Sequence, residues 1–326
     1  MKNELLTVAE AALRIEAGDI LSIAGPDHLL AQLPAGHWIG GTTVYLLTDA
    51  GGARVEDRVF CTTFPMADGA TLRHLPVADL PAIAEGYLAG GATLILLPGF
   101  SQAHSAFALE GAGYPGLFDQ PLMGWVTGVP VEEIGTATPA VYDGRGATRH
   151  TEGAMVMHLS LPEGAQATLD IVNIFEQGRN AATVTFAQTG FAATRARVDG
   201  VEVDFATWLR DAAIDTRLPL VANYAGAMVN VSIRTTDAEK GEVTFYAPVV
   251  AGVEYRLATP VADYATAFRA CLADGGASQH SCNCILNYLY GDMAGKKTGQ
   301  FTGPVTFGEI AYILLNQTLV KLDIAA

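Results

Sequence analysis

The sequence predicts an α/β (α+β) protein, built of mixed β-sheets layered with helices and arranged in two parts. Three observations carry that expectation. ATLILLPGF (92–100) is a near-continuous apolar run, the mark of a central strand buried on both faces. Upstream of it helical and strand-like patterns alternate, whereas from about residue 165 the chain turns strand-rich. Half of the 326 residues are hydrophobic and 16% are charged, which supports a sizeable core in one large or two ordinary domains. The seam is expected near 165–190, giving one domain over 1–180 and a second over 181–326.

Taken in order, residues 5–17 show helical periodicity, with Gly18 as the stop. DILSIAG (19–25) reads as a strand and PDHLLAQLP (26–34) as a helix opened by Pro26. HWIGGTTVYLLTDAGG (37–52) feeds a strand that ARVEDRVFCTTF (53–64) would join as a hairpin. A helix is expected over 77–91 and the buried strand after it. The turn DGRG then joins two strands within AVYDGRGATRHTEGAMVMHLSLP. Past 165 come ATLDIVNIF, AATVTFAQTG and TRARVDGVEVD as strands, DFATWLRDAAID as a helix, then LVANYAGAMVNVSIRT and GEVTFYAPVV as strands. A helix over 261–275, a strand HSCNCILNYLY and a strand-like closing segment complete the chain. No repeat with a 20–50-residue period is visible.

The net charge of −15, from 19 basic and 34 acidic residues, argues against a nucleic-acid partner, because phosphate binding needs clustered Lys and Arg. It also disfavours an anionic membrane surface, and no apolar run is long enough to span a bilayer. The charged, amphipathic start lacks the apolar stretch of a signal peptide, so a cytoplasmic protein is expected. Cys61 and Cys271 read as isolated small hydrophobes. Cys282 and Cys284 would share one strand face, but no second ligand pair accompanies them, so no metal is expected.

Several stretches concentrate polar chemistry. In IGGTTV, Thr42 and Thr43 follow a glycine pair that lacks the spacing of a phosphate loop. In PGFSQAHS, Ser101 and His104 follow the carboxyl end of the apolar strand, where ligands of open α/β sheets bind. They would make a nucleophile and base, although no acid is assignable and the elbow motif is absent. Asn283 and Asn287 would share the strand face opposite the two cysteines and need partners if buried. Near the C-terminus, Glu309 follows a glycine at a turn, while Asn316 and Thr318, two apart, would share a strand face.

The order of these motifs resembles the FIST sensory family, over roughly residues 35–322. IGGTTV is similar to its early I-G-x-[ST]-[ST] strand, and PLMGWVTG to its P-x-x-G-G-x-A-G segment, with Trp125 in place of a glycine. YDGRGATRHTEGAMVMHL resembles the stretch closing the N-terminal half, and TGFAATRARVDGVEV the start of the C-terminal half. GPVTFGEIAYILLNQTLV resembles the G-E-I…N-x-T signature, with Leu315 where a histidine often stands. SCNCILNYLYG stands where many members carry Cys-x-x-Arg.

The resemblance implies a sensory module that binds a small molecule, with amino acids proposed for the family and haem for some members. Since the chain has no room for a kinase or cyclase, the signal is expected to pass to a separate protein. The expected function is therefore non-catalytic binding of a small polar metabolite. The candidate site is Thr42, Thr43, Ser101, His104, Trp125, Arg195, Asn287, Glu309 and Asn316, with Arg195 as the bidentate donor a carboxylate needs. The alternatives are a hydrolase using Ser101 with His104 or Cys282, a haem-binding gas sensor with His37, His104 or His280 as axial ligand, and an assembly protein. A homo-oligomer is compatible with any of them. No cofactor is expected, because no haem attachment motif is present and cations for propionates are few.

Overall fold

One order of elements, strand–helix–strand–helix and then four strands, recurs three times along the chain. A computed structural model describes residues 1–224, 226–271 and 279–325. The first repeat runs β1 (Lys2–Leu6), α1 (Val8–Glu16), β2 (Leu21–Gly25), α2 (Asp27–Leu30), β3 (Trp38–Thr42), β4 (Tyr45–Thr48), β5 (Gly51–Arg54) and β6 (Val59–Thr63). The second runs β7 (Gly69–Leu75), a 3-10 helix (Val77–Gly86), β8 (Ala92–Pro98), α3 (Gln102–Glu110), β9 (Leu122–Thr127), β10 (Val141–Asp143), β11 (Thr148–His150) and β12 (Ala154–Ser160). The third opens with β13 (Gln166–Val172) and is interrupted by an insert.

That insert holds β14 (Thr183–Thr185), β15 (Gly190–Ala193), β16 (Arg195–Val198), β17 (Val201–Asp204), α4 (Phe205–Asp211), β18 (Leu220–Tyr224), β19 (Ala227–Val231), β20 (Ile233–Asp237), β21 (Glu242–Val249) and β22 (Tyr255–Leu257). The third repeat then resumes with α5 (Tyr264–Cys271), β23 (His280–Cys284), α6 (Ile285–Tyr290), β24 (Gly303–Thr306), β25 (Glu309–Ala311), β26 (Ile313–Leu315) and β27 (Leu319–Ala325).

Each repeat builds one six-stranded sheet, and the three sheets share one plan. The order is first, sixth, second and third strand of a repeat, followed by the fourth and fifth strands of another. Repeat one thus takes the β10–β11 hairpin of repeat two, repeat two takes β25–β26, and repeat three takes β4–β5. The second and third strands of every repeat pair in parallel across a helical crossover, and all other pairs are antiparallel. The insert forms two further antiparallel sheets around its own core, centred on Phe186, Phe205 and Phe245.

Period-two alternation divides the sheet residues between two layers. On β8, Leu94 and Leu96 enter a central core shared by the sheets, together with Ile39, Trp125, Cys282, Val320 and Leu322. Ile95 and Leu97 of the same strand face outward, under α3 and the 3-10 helix. The expected central strand is therefore observed, buried on both faces. The fold class is α+β with mixed sheets, as expected.

Several elements differ from the sequence reading. Leu5 and Leu6 lie in β1, and α1 starts after Thr7, whose side chain makes a capping box with Glu10. The expected hairpin of 37–52 with 53–64 is instead the tight pair β4–β5, while β6 pairs with β1 and β2. Residues 285–290, read as strand, are helix α6, so Asn287 does not share a strand face with Asn283. Short apolar runs fit either period. Residues 77–86 form a 3-10 helix containing Pro81. The helix expected over 261–275 is α5, and positions 272–275 lie outside the described residues. Strand pairs β24–β4 and β25–β9 cross the expected boundary at 180/181, and the segregated part is the insert. Among the described residues no helix is long and apolar enough to cross a membrane.

Candidate functional site

The parallel strands β8 and β9 end beside the insert. Two loops leave there, and between them, α6 and the insert's β15, β20 and β21 lies a cavity of about 420 Å³. Its walls are mainly apolar: Phe100, Phe191, Phe245, Ile285, Leu286 and Phe307. Phe100, Ile134 and Leu289 remain 47%, 45% and 43% exposed at this cavity, which is unusual company for a solvated rim.

The loop after β8 is tightly held. A Cβ on Gly99 would stand 2.4 Å from the Thr127 carbonyl oxygen, so only glycine fits between β8 and β9 there. Phe100 follows in the left-handed region, with φ 64°, a costly conformation for an aromatic residue and one found at functional sites. Ser101 then caps α3, its Oγ accepting the His104 backbone N–H at 3.1 Å.

His104 is buried one turn into α3. Its Nδ1 accepts the Phe100 N–H at 3.3 Å, and its Nε2 has no partner. Burial pulls its pKa down to about 4, so the ring is neutral near pH 7. Since Nδ1 faces a donor it holds the lone pair, and the proton sits on Nε2. An unpartnered N–H donor thus belongs to a residue of the cavity wall. Asn316 supplies a second: its Oδ1 accepts the Ser232 N–H (3.0 Å) and hydroxyl (2.7 Å), and its buried Nδ2 has no partner. Ten buried polar side-chain atoms of the described residues have no partner, and these two belong to residues of one cavity wall. The third polar group is the Arg234 guanidinium, 5.7 Å above the Phe100 ring and in no ion pair among the described residues.

Of the candidate residues, the structure brings His104 and Asn316 to this cavity, with Ser101 beneath as the cap. The others lie elsewhere. Thr42 and Thr43 line a different cleft of about 520 Å³, at the ends of β2 and β3. Trp125 is fully buried with its ring against Gly41, where a Cβ would come within 2.4 Å, and is a core residue between repeats. Arg195 is exposed and paired with Glu202 across the β16–β17 hairpin at 3.0 Å, so the carboxylate donor role does not fall to it. Asn287 is buried, its Nδ2 donating to Asn283 Oδ1 (3.0 Å) and the Thr318 carbonyl (3.3 Å).

Glu309 is fully buried and is not on the cavity wall. Its Oε2 accepts the Thr318 hydroxyl (2.9 Å) and N–H (3.3 Å), and its Oε1 accepts the Thr306 hydroxyl (3.1 Å). Burial outweighs these bonds and pushes its pKa up to about 8, so it is mostly protonated near pH 7. It holds the turn between β26 and β27. Asn316 and Thr318 belong to that turn, with Gln317 at φ 51° between them, and point to different partners rather than sharing a face.

The geometry of hydrolysis is not assembled. Ser101 Oγ serves as a helix cap, and the His104 ring is directed to Phe100, so no nucleophile–base contact links them. Cys282 and Cys284 are buried with thiol pKa values raised well above the ordinary range by desolvation, the opposite of an activated thiolate.

Haem does not fit the three histidines either. His37 is exposed, and His280 is packed against Phe64 with Nδ1 on Thr62. His104 carries its proton on Nε2, the nitrogen that would have to bind iron. Among the described residues no group of three or more His, Cys, Asp or Glu could hold a metal ion.

Arg234 escaped the sequence reading. Nothing in SIRTT separates it from TRARV, and only the cross-strand Glu202 makes one arginine paired and the other free. No curated protein matches the chain. The model of DUF6976, a family of unknown function, matches residues 6–325, nearly the whole fold of three repeats and insert, and the chain belongs to that family.

Proposed function

We propose that this protein binds a small molecule in the cavity between repeats two and three and the insert, as a sensor rather than a catalyst. One observation carries the reading: His104 and Asn316, both on that apolar wall, each hold a buried donor with no partner in the protein. Both atoms are sealed from solvent, and a ligand with an apolar body and a hydrogen-bond acceptor would satisfy them once a small shift of the wall uncovers them. The resemblance to FIST sensory modules points the same way.

The walls come from both the three-repeat body and the insert, so an occupant ties the two together. A separate partner protein would read that occupancy. Thermal-shift screening of small metabolites with apolar bodies tests the idea. A ligand at one hundred times its Kd stabilises by about 2.7 kcal/mol through mass action. Hits should vanish on Phe191→Ala, which opens the wall, and a library without hits at millimolar concentration sinks the proposal.

A further inference from the structure

We infer that the ligand's head group is an anion, most simply a carboxylate on an apolar chain or ring, and that Arg234 is the residue that selects it. This rests on the cavity being the ligand site. Three nitrogen groups of the wall are unspent, the Arg234 guanidinium, Asn316 Nδ2 and His104 Nε2, beside the Tyr246 hydroxyl, which also has no partner among the described residues and can donate or accept. All three nitrogen groups are hydrogen-bond donors, because Asn316 Oδ1 is already taken by Ser232 and His104 Nδ1 by Phe100.

No lining residue is acidic, although the chain carries 34 acidic residues against 19 basic ones. Arginines such as Arg54, Arg145, Arg149, Arg195 and Arg217 sit on carboxylates, while Arg73, Arg179, Arg197 and Arg269, like Arg234, are in no ion pair among the described residues. The Arg234 cation rests on the Phe100 face instead. Three donors, one of them a cation, and a hydroxyl that can also donate suit a carboxylate, which accepts through two oxygens and has nothing to donate. The same wall offers an ammonium no counter-charge, so a free amino acid is a poor occupant compared with its deaminated analogue.

The experiment compares head groups on one apolar body. Binding of 3-phenylpropanoate, 3-phenylpropanamide, 3-phenylpropylamine and phenylalanine is measured by calorimetry, with octanoate and octanamide as an aliphatic pair. The carboxylates should bind roughly tenfold or more tightly than their amides, reflecting the charge-assisted bond, with the amine weakest. Arg234→Gln should erase that preference, bringing carboxylate and amide to similar affinity, and Arg234→Lys should restore part of it. The guanidinium is exposed, so neither variant threatens the fold. Asn316→Asp, which keeps the acceptor for Ser232 but replaces Nδ2 by an oxygen, should repel the carboxylates. Amides or amines that match the carboxylates would overturn the anion assignment and leave the cavity as a ligand site. Failure of every compound, amides included, would overturn both.

Discussion

The ends of the parallel pairs β2–β3 and β8–β9 are the same place in two repeats, yet their polar groups are treated in opposite ways. In the cleft of repeat one, Asp27 accepts from Arg149 Nε at 2.9 Å and from the Tyr142 hydroxyl at 2.7 Å. Thr42 accepts the Ala140 N–H, and Thr43 donates to the Val305 carbonyl. In the cavity of repeat two, His104 and Asn316 each keep an open donor. Satisfied polar groups hold a fold together, whereas open ones cost stability and persist where something else completes them. The two places thus differ in partner accounting, although open buried groups also occur away from both, as at Trp125, Thr127 and His158.

The same contrast runs through residues in matching register. Thr42, Thr127 and Thr306 end the third strands of the three repeats, and all are buried. Thr306 serves Glu309, Thr42 serves Ala140, and the Thr127 hydroxyl has no partner. One strand over, Glu309, Tyr142 and Leu46 occupy one position: a carboxylate, a phenol and an alkyl group.

The largest expected effect is on Glu309. Its folded pKa, about 8, lies above the ordinary 4.5, so the folded state favours the protonated form. Its contribution is fully present below about pH 4.5 and is lost as pH rises to about 8. Glu309→Gln lacks that loss, and at about 1.4 kcal/mol per pK unit its advantage should grow to a few kcal/mol above pH 8. Urea unfolding of both proteins at pH 5, 7 and 9 reads it, and a constant difference would break the assignment. His104, His158 and His280, each pulled down to about 4 by burial, act at the other end. Their stability is present above pH 6.5 and is lost as pH falls through 4.

Next in size, Thr306→Val takes a partner from a buried carboxyl and should cost roughly 1–3 kcal/mol. Thr127→Val removes an unpartnered hydroxyl and should be neutral or stabilising. Equal losses from the two would refute the difference drawn between them. Asp27→Asn, in the satisfied cleft, should cost about 1 kcal/mol, because the pair with Arg149 is partly exposed. It should leave calorimetric ligand binding untouched. His104→Leu removes the open Nε2 donor but also the acceptor of the Phe100 N–H, so it should cost about 1 kcal/mol. It should nonetheless weaken ligand binding by roughly tenfold, and a melting scan paired with calorimetry distinguishes the two effects.

Much of the layering was legible in the residues themselves. The apolar run of β8, the periodicity of α1 and the DGRG turn between β10 and β11 announced their elements. The threefold plan was not, because the repeats share backbone geometry rather than side chains, and the insert separates β13 from its own α5. His104 was singled out because it follows the carboxyl end of β8, and Asn316 because it stands within an apolar segment that reads as a strand. Thr42 and Thr43 were indistinguishable from them in sequence, since a hydroxyl's partner comes from a distant segment, Val305 for Thr43. Glu309 was picked out correctly as a buried polar group, but its partners, Thr306 and Thr318, are supplied by its own turn.

The exchange of hairpins among the three sheets also governs how the chain reaches its native state. β4 pairs locally with β5, but its other edge is completed by β24, hundreds of residues downstream, so the edge of a hairpin made early stays open until nearly the last segment exists. Such high contact order slows folding and leaves strand edges open meanwhile. A hairpin that finds the matching edge on another molecule forms the same bonds there, giving exchanged dimers as the side product. Refolding should therefore yield more dimer as protein concentration rises, with secondary structure identical to that of the monomer.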